Sequence, residues 1–191
     1  LPMIGEHNLE NAVAAIACAH QCGISPAIIQ EAIRTFKGVK RRLEIIGTPE
    51  GITVIDDFAH HPTAIKKIVQ TLKQAYPQGR LWVLFEPRSN TTRRSVFQEE
   101  LMDAFSEADV SLFGEVARAE LLKPEDRLNL PDIVNSIQSQ GKEAKVIADP
   151  DDMAAAVAAE ARSGDVVAIL SNGGFGGVHE KVLVALSNAS A

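Results

Sequence analysis

The chain has 191 residues, of which 46% are hydrophobic and 23% charged, and its formal net charge is −6. This composition is that of a globular protein that can bury a sizeable core. The negative charge argues against a surface for polyanions, so we expect no nucleic-acid partner. No apolar run reaches the roughly 18 residues of a membrane helix, and no signal-peptide pattern opens the chain. We therefore expect a soluble protein of the cytoplasm, without membrane insertion.

Two helices are predicted at the start of the chain. Because the sequence begins Leu1-Pro2-Met3 without an initiator methionine, we expect a fragment of a longer protein. Apolar residues at helical spacing predict a helix over residues 6–21, and a second helix runs from Ser25-Pro26 to about residue 36. Cys18 and Cys22 would share one face of the first helix, where we expect buried structural thiols rather than zinc ligands. The short basic stretch at residues 37–42 is typical of a linker or hinge.

Strands and helices alternate after this hinge. The predicted strands are residues 43–47, 52–56, 81–85, 110–113, 145–147 and 165–170, and the helices are residues 62–75, 94–105, 130–140, 151–161 and 178–186. Strands such as LWVLF (81–85) are apolar throughout, which is typical of strands covered on both faces. The sequence therefore predicts an α/β fold: a three-layer, Rossmann-like, mostly parallel sheet with helices on each side. In such sheets ligands bind beyond the carboxyl ends of the strands, here residues 56–62, 86–94, 114–118 and 171–177.

The segment DDFAHHPT (residues 56–63) places two acids and two imidazoles at the end of a strand. Acids there can accept the hydroxyl hydrogens of a ribose, and imidazoles can bind a carboxylate or relay a proton. A metal site is an alternative, although adjacent histidines in an extended segment point in opposite directions. A further alternative is helix capping, in which Asp57 or Thr63 caps the next helix.

Two other segments follow apolar strands. FEPRSNTTRR (residues 85–94) carries three arginines before a helix, where forked guanidinium groups suit a carboxylate or phosphate. The alternative is a solvated loop in which they pair with Glu99 and Glu100. SNGGFGG (residues 171–177) has four glycines, which allow a ligand to approach the backbone closely, but it matches neither a P-loop nor GxGxxG.

Three ordered segments together resemble the Mur ligase family. GEHNLENAVAA (residues 5–15) resembles the HNxxNxxAA signature near the end of the family's central ATP-binding domain. FKGVKRR (residues 36–42) resembles the hinge that follows, and DDFAHHPT resembles the block that opens the C-terminal domain. The resemblance assigns residues 1–40 to the tail of the central domain with the hinge, and residues 41–191 to the C-terminal domain.

Within the family, residues 85–91 and 171–177 resemble most the branch that joins L-alanyl-γ-D-glutamyl-meso-diaminopimelate to UDP-N-acetylmuramate in cell-wall recycling. The branch that adds L-alanine typically has FQPHRYTRT-like and GAGDI-like sequences there, and it remains the alternative. The resemblance implies ATP and Mg²⁺, an acyl phosphate of the muramic acid, and attack on it by the amino group of the tripeptide.

The resemblance also implies roles for individual residues. Those expected near the nucleotide are His7, Asn8 and Asn11 beside the adenine, Arg42 near the phosphates and Asp57 at the ribose. For His7, Asn8 and Asn11 the alternative is a capping arrangement in the first helical turn. Those expected to hold the tripeptide are Phe58, His60, Arg88, Arg93, Asn172 and Gly173. No GxxxxGK[ST] loop is present, and in this family the main Mg²⁺ ligands lie in the central domain. We therefore expect no metal ligand and no catalytic residue in this chain, and no activity from it without its N-terminal and central domains. The alternative from another class is a stand-alone α/β module that binds a nucleotide or a protein partner without catalysis.

Overall fold

The structure, a computed structural model, describes residues 3–189, so Leu1 and Pro2 at the predicted start of the fragment and the last two residues lie outside the described part. The helices are α1 (Glu6–Gln21), α2 (Pro26–Thr35), α3 (Pro62–Ala75), α4 (Gln98–Ala104), α5 (Leu130–Ser139), α6 (Pro150–Glu160) and α7 (Val178–Asn188). The strands are β1 (Glu44–Gly47), β2 (Thr53–Asp57), β3 (Leu81–Phe85), β4 (Val110–Phe113), β5 (Glu143–Val146) and β6 (Val166–Leu170). Among residues 3–189, no helix is both long and apolar enough to cross a membrane.

The six strands form one sheet in the order β1-β2-β6-β3-β4-β5. Only β1 is antiparallel to its neighbour, and the other pairs are parallel. Strands β3 and β6 are buried at every residue, because helices cover both faces of the sheet. The predicted α/β fold with a mostly parallel sheet is confirmed.

The core has two parts, one on each face of the sheet. Alternate strand residues, such as Val83 and Ala168, pack on one face against α3, α4 and α5. Their neighbours, such as Leu84 and Ile169, pack on the other face against α6 and α7. This alternation follows from the period of two along a strand, so each apolar strand supplies both layers.

Two predicted elements begin two or more residues away from their predicted start. The fourth helix begins at Gln98 rather than residue 94, because Arg94 is extended and pairs with Arg127, and residues 95–97 form a 3-10 turn. Strand β5 begins at Glu143 rather than residue 145, since it pairs in register with β4 from that residue onward.

The helix pair α1–α2 is not part of the core. No residue of either helix is buried, although Leu9, Val13, Ile16 and Ile28 give the pair an apolar surface. Cys18 and Cys22 are both exposed. The expectation of buried thiols is therefore wrong, because α1 packs only on α2 and the rim of the sheet domain within the described residues.

Candidate functional site

The carboxyl ends of the parallel strands meet at one edge of the sheet. Asp57 at the end of β2 and Phe85 at the end of β3 both lie opposite Leu170 at the end of β6. Phe85 also lies opposite Phe113 at the end of β4. The segments selected from the sequence therefore leave the sheet side by side, and β6 brings its glycine loop between the other two.

A cavity of about 660 Å³ lies between this edge and the helix pair. Its polar lining includes the five residues expected near the nucleotide: His7, Asn8, Asn11, Arg42 and Asp57. Apolar residues of α2 and the hinge, among them Ile33, Phe36 and Val39, line another part of it. The cavity thus combines an apolar wall, which suits a flat heterocycle, with amide, imidazole and guanidinium groups. Lys67 of α3 also lines it, a residue that the sequence analysis did not select.

Asp57 is fixed by backbone donors on both of its oxygens. Oδ2 accepts from Leu43 N at 2.8 Å and Oδ1 accepts from Ala59 N at 2.7 Å. Burial raises the pKa of its carboxyl, although these bonds and the charge of Arg42 act in the opposite direction. Each oxygen retains a second lone pair, so the geometry still allows Asp57 to accept a ligand hydroxyl.

The capping alternative for this segment is wrong. The residue that caps α3 is His61, whose Nδ1 accepts from Thr63 N at 3.4 Å. Neither the Asp57 nor the Thr63 side chain performs this role. The two histidines also have separate surroundings, since His60 Nδ1 lies 2.9 Å from the Phe58 carbonyl and the His61 ring packs on Phe97.

Phe58 lies where the two predicted groups of residues meet. The guanidinium carbons of Arg41 and Arg42 lie 5.3 Å and 5.6 Å from the centre of its ring. The ring of His60 packs edge-on at 5.3 Å. A residue expected at the nucleotide phosphates, Arg42, therefore contacts a residue expected at the peptide.

Beyond Phe58, a second polar group surrounds Ser171. The Ser171 hydroxyl donates to Glu86 Oε2 at 2.5 Å and accepts from Gly173 N at 2.8 Å. Glu86 Oε1 in turn lies 3.4 Å from Arg88 Nη1. A Cβ at Gly173 would overlap Arg88 Cδ and Nε, so a larger residue at this position would displace the Arg88 side chain. The structure thus brings the expected peptide residues Arg88 and Gly173 into direct contact.

The other two expected peptide residues differ from each other. Asn172 belongs to the same loop, and its Oδ1 is buried without a hydrogen-bond partner among the described residues. The Arg93 guanidinium is held within its own region by Asn90 Oδ1 at 2.5 Å and the Ala117 carbonyl at 3.4 Å. No hydrogen bond in the described structure joins Arg93 to the group around Glu86, so Arg93 is the expected peptide residue that the fold supports least.

Three side chains that the sequence analysis gave no individual role form a bridge beneath these groups. Arg41 donates to Asp56 Oδ2 at 3.1 Å and to the Ser171 carbonyl at 2.5 Å. His179 of α7 lies 3.1 Å from Asp56 Oδ1. Burial alone would raise the pKa of Asp56, but the bond to His179 and the charge of Arg41 outweigh it, so that pKa is lowered. The acidic pair at residues 56–57 indicated Asp56 as a candidate in the sequence, whereas no pattern near His179 indicates its contact with Asp56.

The glutamate ligase domain of Mur ligases matches residues 41–173 of the chain. UDP-N-acetylmuramate–L-alanyl-γ-D-glutamyl-meso-2,6-diaminoheptandioate ligase of Escherichia coli is 36% identical over 97% of this chain and 38% of its own length. UDP-N-acetylmuramate–L-alanine ligase of Jannaschia is 38% identical over 91% of this chain and 36% of its own length.

A solved structure of a murein peptide ligase from Psychrobacter arcticus matches with a TM-score of 0.72 at 36% identity. The match covers 97% of this chain and 38% of that protein. The chain therefore spans less than two fifths of the length of these three relatives.

Proposed function

The chain belongs to the Mur ligase family, and we propose that it is the C-terminal part of an ATP-dependent ligase that joins L-alanyl-γ-D-glutamyl-meso-diaminopimelate to UDP-N-acetylmuramate. The observation that carries this proposal is one sheet edge with two adjacent polar regions. One is the cavity lined by His7, Asn11 and Asp57, and the other is the group around Arg88. A ligase that uses ATP to attach an incoming peptide needs one region for the nucleotide and one for the peptide.

The cavity is the proposed site of ATP. His7, Asn8 and Asn11 lie on one side of the first turns of α1, where they face the edge of the adenine. Asn8 Nδ2 also donates to the Ile4 carbonyl at 2.7 Å, whereas the side chains of His7 and Asn11 make no such bond in the described structure. Asp57 accepts a ribose hydroxyl, as acidic residues do at the ends of strands in other nucleotide sites. Arg42, which is exposed on the hinge, provides a positive charge for the phosphates.

The group around Ser171 is the proposed site of the tripeptide. Arg88 binds a peptide carboxylate, because its side chain is 43% exposed and its only salt bridge in the described structure is a long one to Glu86. Gly173 leaves space for Arg88, and we place Asn172, Phe58 and His60 in the same peptide region. Arg93 would then stabilise the loop at residues 90–93 and contribute to the peptide site through it.

The chemistry needs groups from the rest of the protein. ATP would activate the muramic acid carboxylate as an acyl phosphate, and the peptide amine would displace phosphate from it. Residues 3–189 contain no group of three or more His, Cys, Asp or Glu side chains able to hold a metal ion. From the resemblance to the family, we propose that the Mg²⁺ ligands lie in the central domain.

We propose that residues 1–40 are the tail of that central domain with the hinge, and that residues 41–191 are the C-terminal domain. The apolar surface of α1–α2 supports this division, since Leu9, Val13 and Ile28 are each more than half exposed. Such a surface is suited to packing against the remainder of the central domain. We propose that the protein is located in the bacterial cytoplasm, because the proposed reaction uses ATP.

A second candidate is a ligase for L-alanine, which the 38% identity to the Jannaschia enzyme favours. A direct test is ATP-dependent phosphate release by the full-length protein with UDP-N-acetylmuramate and either tripeptide or L-alanine. We expect a higher kcat/KM for the tripeptide, and a preference for L-alanine would replace the first proposal with the second. If neither the tripeptide nor L-alanine gives phosphate release, the result would favour a nucleotide-binding module without catalysis instead. The 191-residue chain alone serves as the control, and we expect no turnover from it.

A further inference from the structure

A hydrogen-bonded network runs from the hinge to the glycine loop, and it begins at Arg41. The Arg41 guanidinium bridges Asp56 of β2 and the carbonyl of Ser171, which follows β6. Ser171 continues the network through its hydroxyl to Glu86 and Gly173. Asp56, Ser171 and Glu86 are each at most 8% exposed. These three residues are therefore largely shielded from water, whereas the Arg41 side chain is 30% exposed. The bond from Arg41 to Ser171 joins two residues that are 130 positions apart.

The backbone of Arg41 is fixed as firmly as its side chain. Its N–H donates to Glu44 Oε2 at 2.8 Å, and its carbonyl accepts from Phe58 N at 2.9 Å. Its φ is +58°, in the left-handed region that residues with a Cβ adopt infrequently. Several contacts therefore hold a conformation that the chain alone would disfavour.

Arg41 is adjacent to both proposed halves of the site and does not line the nucleotide cavity. The next residue is Arg42, which lines the nucleotide cavity, whereas Arg41 is not among the residues of that cavity. Its guanidinium packs over Phe58 and bonds to the residue before Asn172 and Gly173. The side chain of Arg41 thus holds the peptide region, while the hinge backbone is held separately by Glu44, Phe58 N and Asp57.

We propose that Arg41 is a positioning residue for the incoming peptide: it fixes Phe58 and the loop at residues 171–173 in the arrangement that receives the substrate. This inference rests on the proposed ligase function. Lysine cannot replace it fully, because one guanidinium fork reaches two acceptors while stacking on a ring, and an ammonium group is a single point charge.

The test is steady-state kinetics of the full-length protein, as wild type and as Arg41→Ala, Arg41→Lys and Lys40→Ala. We expect Arg41→Ala to raise the tripeptide KM about tenfold or more, as for the loss of a hydrogen bond from a charged group. We expect the ATP KM to change less than about threefold, because the hinge backbone retains its own bonds. Arg41→Lys should fall between Arg41→Ala and wild type. Lys40→Ala is the matched control and should resemble wild type, since Lys40 is exposed and makes no side-chain hydrogen bond among the described residues.

A role in stability alone predicts a different result. In that case kcat would fall with the fraction of folded protein while the tripeptide KM stayed constant, and this result would overturn the proposal. If Arg41→Ala does not fold, Arg41→Lys decides, because it keeps the charge and removes the fork. An unchanged tripeptide KM in Arg41→Lys would then reject the role of Arg41. The wild type separates the two proposals: failure to ligate tripeptide at all overturns the ligase function, and the role of Arg41 with it.

Discussion

The helix pair α1–α2 and the sheet domain bury their apolar residues in opposite ways. Ile28 in α2 is 63% exposed, whereas Phe105 beside β3 and β4 is fully buried against Phe85 and Phe113. Both regions have the apolar periodicity of packed elements. In the sheet domain the apolar faces of helices and strands pack on each other, whereas the apolar surface of α1–α2 is largely exposed. A periodic pattern therefore shows which face an element buries and does not show whether the partner belongs to the same chain segment.

Truncation of an apolar side chain in each region should give the largest contrast. Phe105→Ala should cost about 3–5 kcal/mol of unfolding free energy, because it leaves a cavity in the aromatic cluster of the core. Ile28→Ala should cost less than about 0.5 kcal/mol in the 191-residue chain, since its side chain is mostly in water. Urea denaturation of both variants measures the difference. Similar losses would mean that α2 packs on the sheet domain after all.

A smaller contrast separates the partly buried ion pair between Arg41 and Asp56 from a surface pair. Asp56→Asn should cost about 1.5–3 kcal/mol near neutral pH, because Asp56 accepts charged hydrogen bonds from Arg41 and a further bond from His179. Asp103→Asn is the matched control, since Asp103 pairs with Lys66 at the surface and should lose less than about 1 kcal/mol.

The pH dependence of this loss follows from the lowered pKa of Asp56. A carboxyl whose pKa is lower in the folded state stabilises the fold above its ordinary value of 3.8. That contribution is lost as the pH falls through the folded pKa, so the difference between wild type and Asp56→Asn should narrow at the acidic end. Urea midpoints measured from pH 6 downward check this, and a difference that widens toward acid would contradict it.

The smallest expected change in stability is that of Gly173→Ala. The new methyl group overlaps Arg88, whose flexible side chain can move, so the unfolding free energy should change by less than about 0.5 kcal/mol. The displaced guanidinium should nevertheless raise the tripeptide KM of the full-length protein several-fold. Gly174→Ala is the control, because a Cβ there meets nothing within 4 Å. Equal kinetics for the two variants would remove Gly173 from the peptide region.

Most of the sheet domain was predictable from local patterns. The strand LWVLF is apolar at every position, and it is the buried strand β3 with the predicted bounds. The bounds that were wrong depend on distant partners, since β5 takes its register from β4 and Arg94 pairs with Arg127. The wrong prediction of buried thiols at Cys18 and Cys22 has a similar cause, because the periodicity of α1 does not identify the surface on which this helix packs.

The candidate site was predictable in its location and less so in its connections. The rule that ligands bind at the carboxyl ends of strands selected the edge beside which the cavity lies, and five expected residues line that cavity. Their roles remain predictions. The bridge from Arg41 to Ser171 and the contact of His179 with Asp56 span 130 and 123 residues, and no local pattern indicates them.

The central claim is that the chain holds the nucleotide in the cavity beside α1 and the peptide in the group around Arg88. The most direct measurement is the ATP KM and the tripeptide kcat/KM of full-length Arg88→Ala, with Asn11→Ala as the matched control. Arg88→Ala should lower the tripeptide kcat/KM about ten- to hundredfold, as for a lost charge-assisted bond, and leave the ATP KM unchanged. Asn11→Ala should raise the ATP KM about two- to tenfold, as for a lost neutral hydrogen bond, and leave the tripeptide KM unchanged. Unchanged tripeptide kinetics in Arg88→Ala, or an effect of both variants on the same substrate, would contradict the claim.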